Sequence, residues 1–331
     1  MENYELKDNY ARKINYLRLS VTDRCNLHCL YCTPKEGRAT LGHNDILRYE
    51  EILRVVRIST TLGIQKVRIT GGEPLVRKGL TNFISLLTKI EGLKDIGLTT
   101  NGTLLSQYAE ELYKSGLKRI NVSLDSLRED KYKFITGGGE IKEVLEGLKE
   151  AQKVGFSPIK INVVAINGFN DDEILDFASL SLSFPYEVRF IELMPFNDSW
   201  GGQYLPCTVI KEKIESAMEL EPLRSEPNPA NGPARMYKLK NGEGRIGFIS
   251  PMSAHFCNEC NRLRLTADGH LRSCLFSDEE TDLKGKLREG CSDEALRSLI
   301  VEAVKNKAQK GVPQGKARQK NCQRQMNSIG G

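Results

Sequence analysis

From about residue 15 to residue 195, short β-branched runs alternate with longer segments whose apolar residues recur at helical spacing. That alternation limits the fold more than any other feature of the chain. The runs at 16–21, 66–70, 96–100, 119–124, 159–164 and 188–193 read as strands. Between them, Leu104, Leu105, Tyr108 and Leu112, and then Ile141, Val144, Leu145, Leu148 and Ala151, fall on one helical face each. Gly63, Gly116 and Gly155 follow such helices and precede the next apolar residue, where a left-handed residue closes a helix. A repeated βα unit calls for a parallel sheet. Six strands fall short of the eight of a complete (β/α)8 barrel, so the expected fold is α/β, an incomplete (β/α)6 TIM-type barrel rather than a doubly wound sheet.

Past residue 200 the character changes. Gly201, Gly202 and Pro206, then Pro222, Pro227, Pro229 and Pro233, punctuate a loop-rich stretch with short alternating runs at 245–250, 262–266 and 270–275. These read as β-hairpins. A helix is expected over 292–305, with Asp293 and Glu294 in its first turn and Lys305 at its close, matching the helix dipole. The expected organisation is a core over 1–200 and an appended region over 201–331.

Hydrophobic residues make up 39% and charged residues 27% of the 331, enough to build a core and unlike a disordered chain. No secretory leader and no membrane-length apolar run is read, so a cytoplasmic protein with no membrane role is expected. The net charge of +5 is compatible with an anionic small molecule but too sparse for a dedicated nucleic-acid binder. The charged residues are oddly placed. Arg18, Arg68, Lys160 and Glu192 interrupt apolar runs, and Thr99, Thr100, Asn101, Ser123 and Asp125 gather where strands give way to loops. Strand ends of this kind are where α/β sheets place ligands. If alternate residues face inward, the interior is cationic and suits a phosphorylated substrate; the competing reading points these cations outward on half-exposed strands.

Nine cysteines in a chain of this length and compartment point to metal or redox chemistry rather than a disulfide scaffold. Six form two triplets. Cys25, Cys29 and Cys32 make CxxxCxxC directly after the first strand. Soft thiolates select an iron–sulfur cluster, zinc or Cu(I); three of them on a cubane leave one iron open, whereas zinc would need a fourth ligand such as His28 or His43. Cys257, Cys260 and Cys274 make CxxCx13C, which by itself also reads as a zinc ribbon completed by His255 or His270. Cys207, Cys291 and Cys322 belong to neither set and receive no role.

CxxxCxxC with Tyr31 before its last cysteine, followed after the second strand by Gly71-Gly72-Glu73-Pro74, resembles the radical S-adenosylmethionine superfamily. The CNxCNRLRLTADGxLRxCL wording around the second triplet and the closing Gly330-Gly331 resemble one family within it, the GTP 3′,8-cyclases of molybdenum cofactor biosynthesis, from about Asn15 to the last residue. The resemblance implies two [4Fe-4S] clusters, one on Cys25, Cys29 and Cys32 and one on Cys257, Cys260 and Cys274, each with an iron open to a small molecule. It implies S-adenosyl-L-methionine contacts at Tyr31 (backbone), Gly72, Ser123 and Met194, and GTP contacts at Arg18, Arg68, Thr99, Lys160, Arg262, Leu263 and Arg264. It further implies that Gly330 and Gly331 insert toward the site and assist catalysis, while Lys316, Arg318, Lys320 and Arg324 form a solvated face. The implied reaction removes hydrogen from C3′ of the GTP ribose by a 5′-deoxyadenosyl radical and joins C3′ to C8 of guanine, giving (8S)-3′,8-cyclo-7,8-dihydroguanosine 5′-triphosphate. Implied partners are an electron donor of flavodoxin or ferredoxin type, cyclic pyranopterin monophosphate synthase downstream, and a second copy in a homodimer.

Two other readings compete. A peptide-modifying radical enzyme with an auxiliary cluster domain would carry more C-terminal cysteines and has no need of the terminal glycines. A zinc-stabilised protein using its basic tail on nucleic acid would show steep salt-dependent association.

Overall fold

A computed structural model describes residues 4–32, 40–196, 202–223, 232–311, 324, 326 and 328–330. Gly201, Pro227, Pro229, Lys316, Arg318, Lys320, Cys322 and Gly331 lie outside the described residues.

The six expected strands are present: β1 (Tyr16–Ser20), β2 (Lys66–Thr70), β3 (Asp95–Thr100), β4 (Arg119–Ser123), β5 (Ile159–Ala165) and β6 (Tyr186–Glu192). They lie side by side in chain order and all parallel, with no reversal of the kind that marks a doubly wound sheet. Helices α1 (Tyr49–Thr61), α2 (Leu80–Leu87), α3 (Leu105–Lys114), α4 (Glu129–Thr136), α5 (Ile141–Val154) and α6 (Ile174–Ser183) form the crossovers. Gly63, Gly116 and Gly155 take φ of 99°, 99° and 104°, as closing residues of α1, α3 and α5 must.

The C-terminal chain, after α7 (Cys207–Glu215), supplies β7 (Leu220–Pro222), β8 (Arg235–Leu239), β9 (Arg245–Ile249), β10 (Arg262–Leu265), β11 (His270–Arg272) and β12 (Thr281–Asp282). The expected hairpins are there, as antiparallel pairs β7–β8–β9 and β10–β11–β12. The parallel pairs they also make were not expected. β9 lies parallel against β6, and β10 lies parallel against β1 with Tyr16 opposite Arg262 and Arg18 opposite Arg264. The sheet order is β12-β11-β10-β1-β2-β3-β4-β5-β6-β9-β8-β7, so eight parallel strands run consecutively where six were counted. α8 (Leu283–Arg288) and α9 (Asp293–Lys305) follow, and Ser292 caps α9 by accepting from the Ala295 amide at 3.2 Å.

Strand alternation then sorts the chemistry. Leu17, Leu19, Val67, Ile69, Leu98, Ile120, Val122, Ile161, Val188, Phe190, Leu263 and Leu265 share one buried core with Ile52, Val55 and Val56 of α1, Leu105 of α3, Leu148 of α5 and Phe177 of α6. Each such side chain contributes roughly 1.5–3 kcal/mol by leaving water. Period-two geometry places Tyr16, Arg18, Lys66, Arg68, Gly97, Thr99, Asn121, Ser123, Lys160, Asn162, Glu187, Arg189, Arg262 and Arg264 on the opposite face. Among the described residues no helix is long and apolar enough to cross a membrane.

Candidate active site

The loop after β1 carries Cys25, Cys29 and Cys32, all half-buried. Backbone bonds pin it from two sides. The amides of Gly72 and Glu73 donate to the carbonyls of Thr22 and Arg24 at 2.7 and 2.8 Å, and the amides of His28 and Leu30 donate to Thr136 and Ile135 at 2.9 Å each. The first apposition needs glycine: a Cβ on Gly72 would stand 2.2 Å from the Arg24 carbonyl oxygen, and one on Gly71 (φ +144°) 2.3 Å from that of Thr22. Glu73 is fully buried behind this contact and accepts from Leu75 N, Thr100 Oγ1 and Asn101 N at 3.0, 2.8 and 2.6 Å; burial pushes its carboxyl up to about 7 despite those donors. The Gly72→Ala variant should lose roughly 1–3 kcal/mol of stability through the forced backbone shift and retain less iron per chain after reconstitution; thermal unfolding and iron content check both.

Beside the cysteines, Tyr31 Oη donates to Asp125 Oδ2 at 2.7 Å, and Asp125 Oδ1 accepts from the Val164 amide at 2.8 Å. Burial raises both groups, Asp125 to about 6. Asn101 Nδ2 lies 3.8 Å from Cys25 Sγ. Ser123 ends β4 and Met194 follows β6, both half-buried at the same end of the sheet.

The second set sits at the other end of the strands. Cys257 and Cys260 immediately precede β10, and extrapolating the Arg264–Arg272 register puts Cys274 level with Arg262, at the start of β10. Because β10 runs parallel to β1, the first triplet follows the strands and the second precedes them. A five-residue strand of roughly 16 Å separates the two ends. Arg12 Nη1 donates to the Cys257 carbonyl at 2.7 Å, and the buried Lys307 ammonium donates to the carbonyls of Arg262, at 3.1 Å, and Ser273. Burial raises the Cys260 thiol, but Arg262 and Lys307 outweigh it and bring the group down to about 7. A Cβ on Gly311 would stand 2.1 Å from Cys274 Sγ, so that position leaves room only for hydrogen beside the sulfur. Among the described residues no three His, Cys, Asp or Glu side chains gather tightly enough around a single ion. The donor chemistry of both sets, three soft sulfurs each, fits a polynuclear iron–sulfur group, and at the second set Arg262 and Lys307 favour the thiolate.

Between the two ends lies the polar face. Its arginines are buried: Arg68 is 4% and Arg264 6% exposed, which rejects the outward-facing reading. Arg68 Nη1 donates to Asn121 Oδ1 at 3.1 Å and to the Leu98 carbonyl at 3.4 Å, and its guanidinium crosses Gly97 so closely that a Cβ there would meet Nη1 at 2.1 Å. Two ion triads close the lower part: Asp95 with Lys66 and Arg119 at 3.0 and 3.1 Å, and Glu187 with Lys160 and Arg189 at 3.1 and 2.8 Å. Burial, reinforced by Arg189, brings the Lys160 ammonium down to about 7. Arg68 Nε, Thr70 Oγ1, Thr99 Oγ1, Asn162 Oδ1 and Arg189 Nε are buried without a hydrogen-bond partner. Orphaned donors and acceptors on one cationic face suit a polar anionic ligand.

The tail reaches this face. The Gly330 carbonyl accepts from Arg18 Nε at 2.9 Å and from Arg264 Nη1 at 2.7 Å, with Gly330 at φ +75° near Ser20 and Thr70. Upstream, Arg324 donates to Asp268 Oδ2 at 2.7 Å and Glu280 Oε2 at 2.5 Å, and the Ala267 amide donates to the Ser328 carbonyl at 3.3 Å. Arg324 is therefore a half-buried anchor of the tail, which corrects its assignment to a solvated face; Gly331 lies outside the described residues.

Two other expectations change. Glu192 faces away from the polar side and accepts from the amides of Cys207, Met252 and Ser253 at 3.0, 2.9 and 2.9 Å, so it ties α7 and the loop after β9 to β6. The Leu263 side chain is in the apolar core. Sequence reasoning passed over Tyr16, Asn162 and Arg189, although each alternates with recognised apolar strand residues, and that alternation was the available signal.

Comparison with known proteins follows this division. A family model described as Radical SAM superfamily matches residues 19–181, and one described as Molybdenum Cofactor Synthesis C matches residues 186–312. The GTP 3′,8-cyclase of Thermodesulfovibrio yellowstonii is 50% identical over 330 residues, covering 98% of this chain and 100% of that one. That of Syntrophomonas wolfei is 51% identical over 303 residues, covering 91% and 92%. Among solved structures, Streptococcus suis SuiB bound to S-adenosylmethionine aligns at a TM-score of 0.60 and 13% identity, over 92% of this chain and 66% of that one, a likeness of α/β fold.

Proposed function

We propose, from the premise that this chain belongs to the GTP 3′,8-cyclase family of the radical S-adenosylmethionine superfamily, a division of labour among the residues of its two ends and polar face. Members of that family carry out the first step of molybdenum cofactor biosynthesis. The parallel strands are read as an incomplete barrel whose lumen is the polar face, with a core over 1–200 and a C-terminal region over 201–331.

Cys25, Cys29 and Cys32 would hold one [4Fe-4S] cluster, and Cys257, Cys260 and Cys274 the other. With S-adenosyl-L-methionine bound, the first cluster supplies the hydrogen-abstracting radical chemistry. Tyr31, Gly72, Ser123 and Met194 surround that end; the Gly72 amide is committed to Thr22, which leaves its carbonyl for a methionyl amine. Arg18, Arg68, Thr99, Lys160, Arg262 and Arg264, together with Arg189, bind and orient GTP along the lumen, and the backbone at Leu263 lines it. Laid between opposite ends, the nucleotide presents its ribose toward the first cluster and its base toward the second, an orientation that holds C3′ near C8. The Gly330 carbonyl fixes the Arg18 and Arg264 guanidiniums, and Gly331 completes the tail. The burial of Arg68 and Arg264 between two three-cysteine sets carries this reading.

The same reading gives a cytosolic enzyme, reduced by a flavodoxin or ferredoxin, paired as a homodimer, and passing its product to cyclic pyranopterin monophosphate synthase. Its test is direct. Protein reconstituted without air, given reductant, S-adenosyl-L-methionine and GTP, should yield 5′-deoxyadenosine and an acid-labile guanine-derived product. If ATP or a peptide replaced GTP without loss, the assignment of the lumen to GTP would be wrong.

A further inference from the structure

Tyr16 sits within the cationic face, between Arg262 and Lys66 of the two neighbouring strands. It is 6% exposed. Arg18 on its own strand and Arg68 on the next lie on the same face, and both guanidiniums act on its phenol. The Lys66 ammonium lies 5.0 Å from the ring centroid. Arg189 of β6 also acts on it, and Asp95 of β3 pairs with Lys66 at 3.0 Å. A phenol in such a ring of positive charge is the group that can become an anion there.

We infer that Tyr16 is the built-in counterion of the substrate lumen: its oxygen balances Arg18 and Arg68 as a phenolate, and takes up one proton from solvent when a triphosphate claims those guanidiniums. Geometry supplies the crowd of cations: Arg18, Lys66, Arg68 and Arg262 share its face, with Lys66 over its ring. Although burial opposes ionisation, Arg68, Arg18 and Lys66 together lower the phenol to about 7. Once four negative charges of a bound nucleotide neutralise the arginines, the phenolate loses its support and protonates. The O–H bond forms at the phenol oxygen, and water or buffer gives the proton.

This inference rests on the lumen binding GTP and adds a proton linkage to it. The direction follows from the two states. A group whose pKa rises on binding weakens binding as pH climbs above its free value, by about tenfold per pH unit until the bound value is reached. Lys160, also lowered to about 7, gains a proton by the same logic, so the Tyr16 share must be read against a variant.

The experiment is calorimetric titration of the reconstituted holoenzyme with GTP, between pH 6 and 8.5, in pairs of buffers of different ionisation enthalpy. Wild type should take up protons above pH 7, by up to one more than Tyr16→Phe at pH 8.5. GTP affinity of Tyr16→Phe should fall less steeply with pH, so that the variant binds more tightly than wild type at the alkaline end. Equal proton uptake in the two proteins, with GTP bound by both, overturns the inference and leaves the function standing. So does loss of GTP binding in a folded Tyr16→Phe, which would make the phenol a direct ligand. Failure of wild type to bind GTP at any pH overturns both. Should the variant not fold, wild-type uptake that stays flat from pH 6 to 8.5 overturns the inference by itself.

Discussion

Cys25→Ala is expected to abolish 5′-deoxyadenosine formation under reducing, air-free conditions, while Cys274→Ala keeps a measurable part of it. The contrast follows from where the sulfurs sit. Cys25 opens the loop that the Gly71-Gly72 apposition and the Ile135–Thr136 carbonyls hold in one shape, and Asn101 reaches its Sγ. Removing that thiol takes away one of the three sulfurs of this triplet. Cys274 lies a strand length away, beside Lys307 and Arg264. Its loss should strike GTP turnover and leave the first cluster's iron content nearly intact. Iron and sulfide analysis, together with chromatography of the adenosyl product, separates the two variants; equal loss of 5′-deoxyadenosine in both would show that the ends do not work apart.

The second large effect is at Arg264. It is buried, donates to the Gly330 carbonyl, and stands opposite Arg18 in the strand register. Charge-assisted hydrogen bonds are worth about 1.5–3 kcal/mol each, so Arg264→Ala should weaken GTP binding on the order of ten- to a hundredfold. The same change releases the tail carbonyl, so turnover should fall further than affinity does. Uncoupled cleavage of S-adenosylmethionine should persist. Arg264→Lys keeps the charge but not the planar fork and should recover binding only in part. An affinity unchanged in Arg264→Ala would remove this residue from the nucleotide's path.

Much of this was legible in the chain. The six strands and the glycines that close their helices announced themselves, because strands buried on one apolar face keep β-branched residues at every second position and their crossovers end in left-handed turns. Arg18, Arg68 and Lys160 were visible as charges interrupting those runs. The pairing of β9 with β6 and of β10 with β1 was not. A four- or five-residue run carries no sign of whether it pairs with its hairpin partner alone or also with a strand 246 positions earlier, as Arg262 does with Tyr16. Glu192 misled for a related reason: a carboxylate at a strand end looks like a ligand until the amides of Met252 and Ser253, brought by that distant chain, are seen to use it. Arg324 was unreadable without Asp268 and Glu280, which only the β10–β12 turns bring near it.

The late arrival of β9 and β10 bears on how the molecule is made. As the chain emerges from the ribosome, β1 and β6 are the two raw margins of a growing sheet, each with a row of unpaired amides and carbonyls. Neither margin is covered until more than fifty further residues follow β6, and β1 waits longest of all. Nascent intermediates of this kind invite edge-to-edge association, so synthesis would favour chaperone shelter, and a message cut short after β6 would encode an aggregating fragment rather than a smaller enzyme.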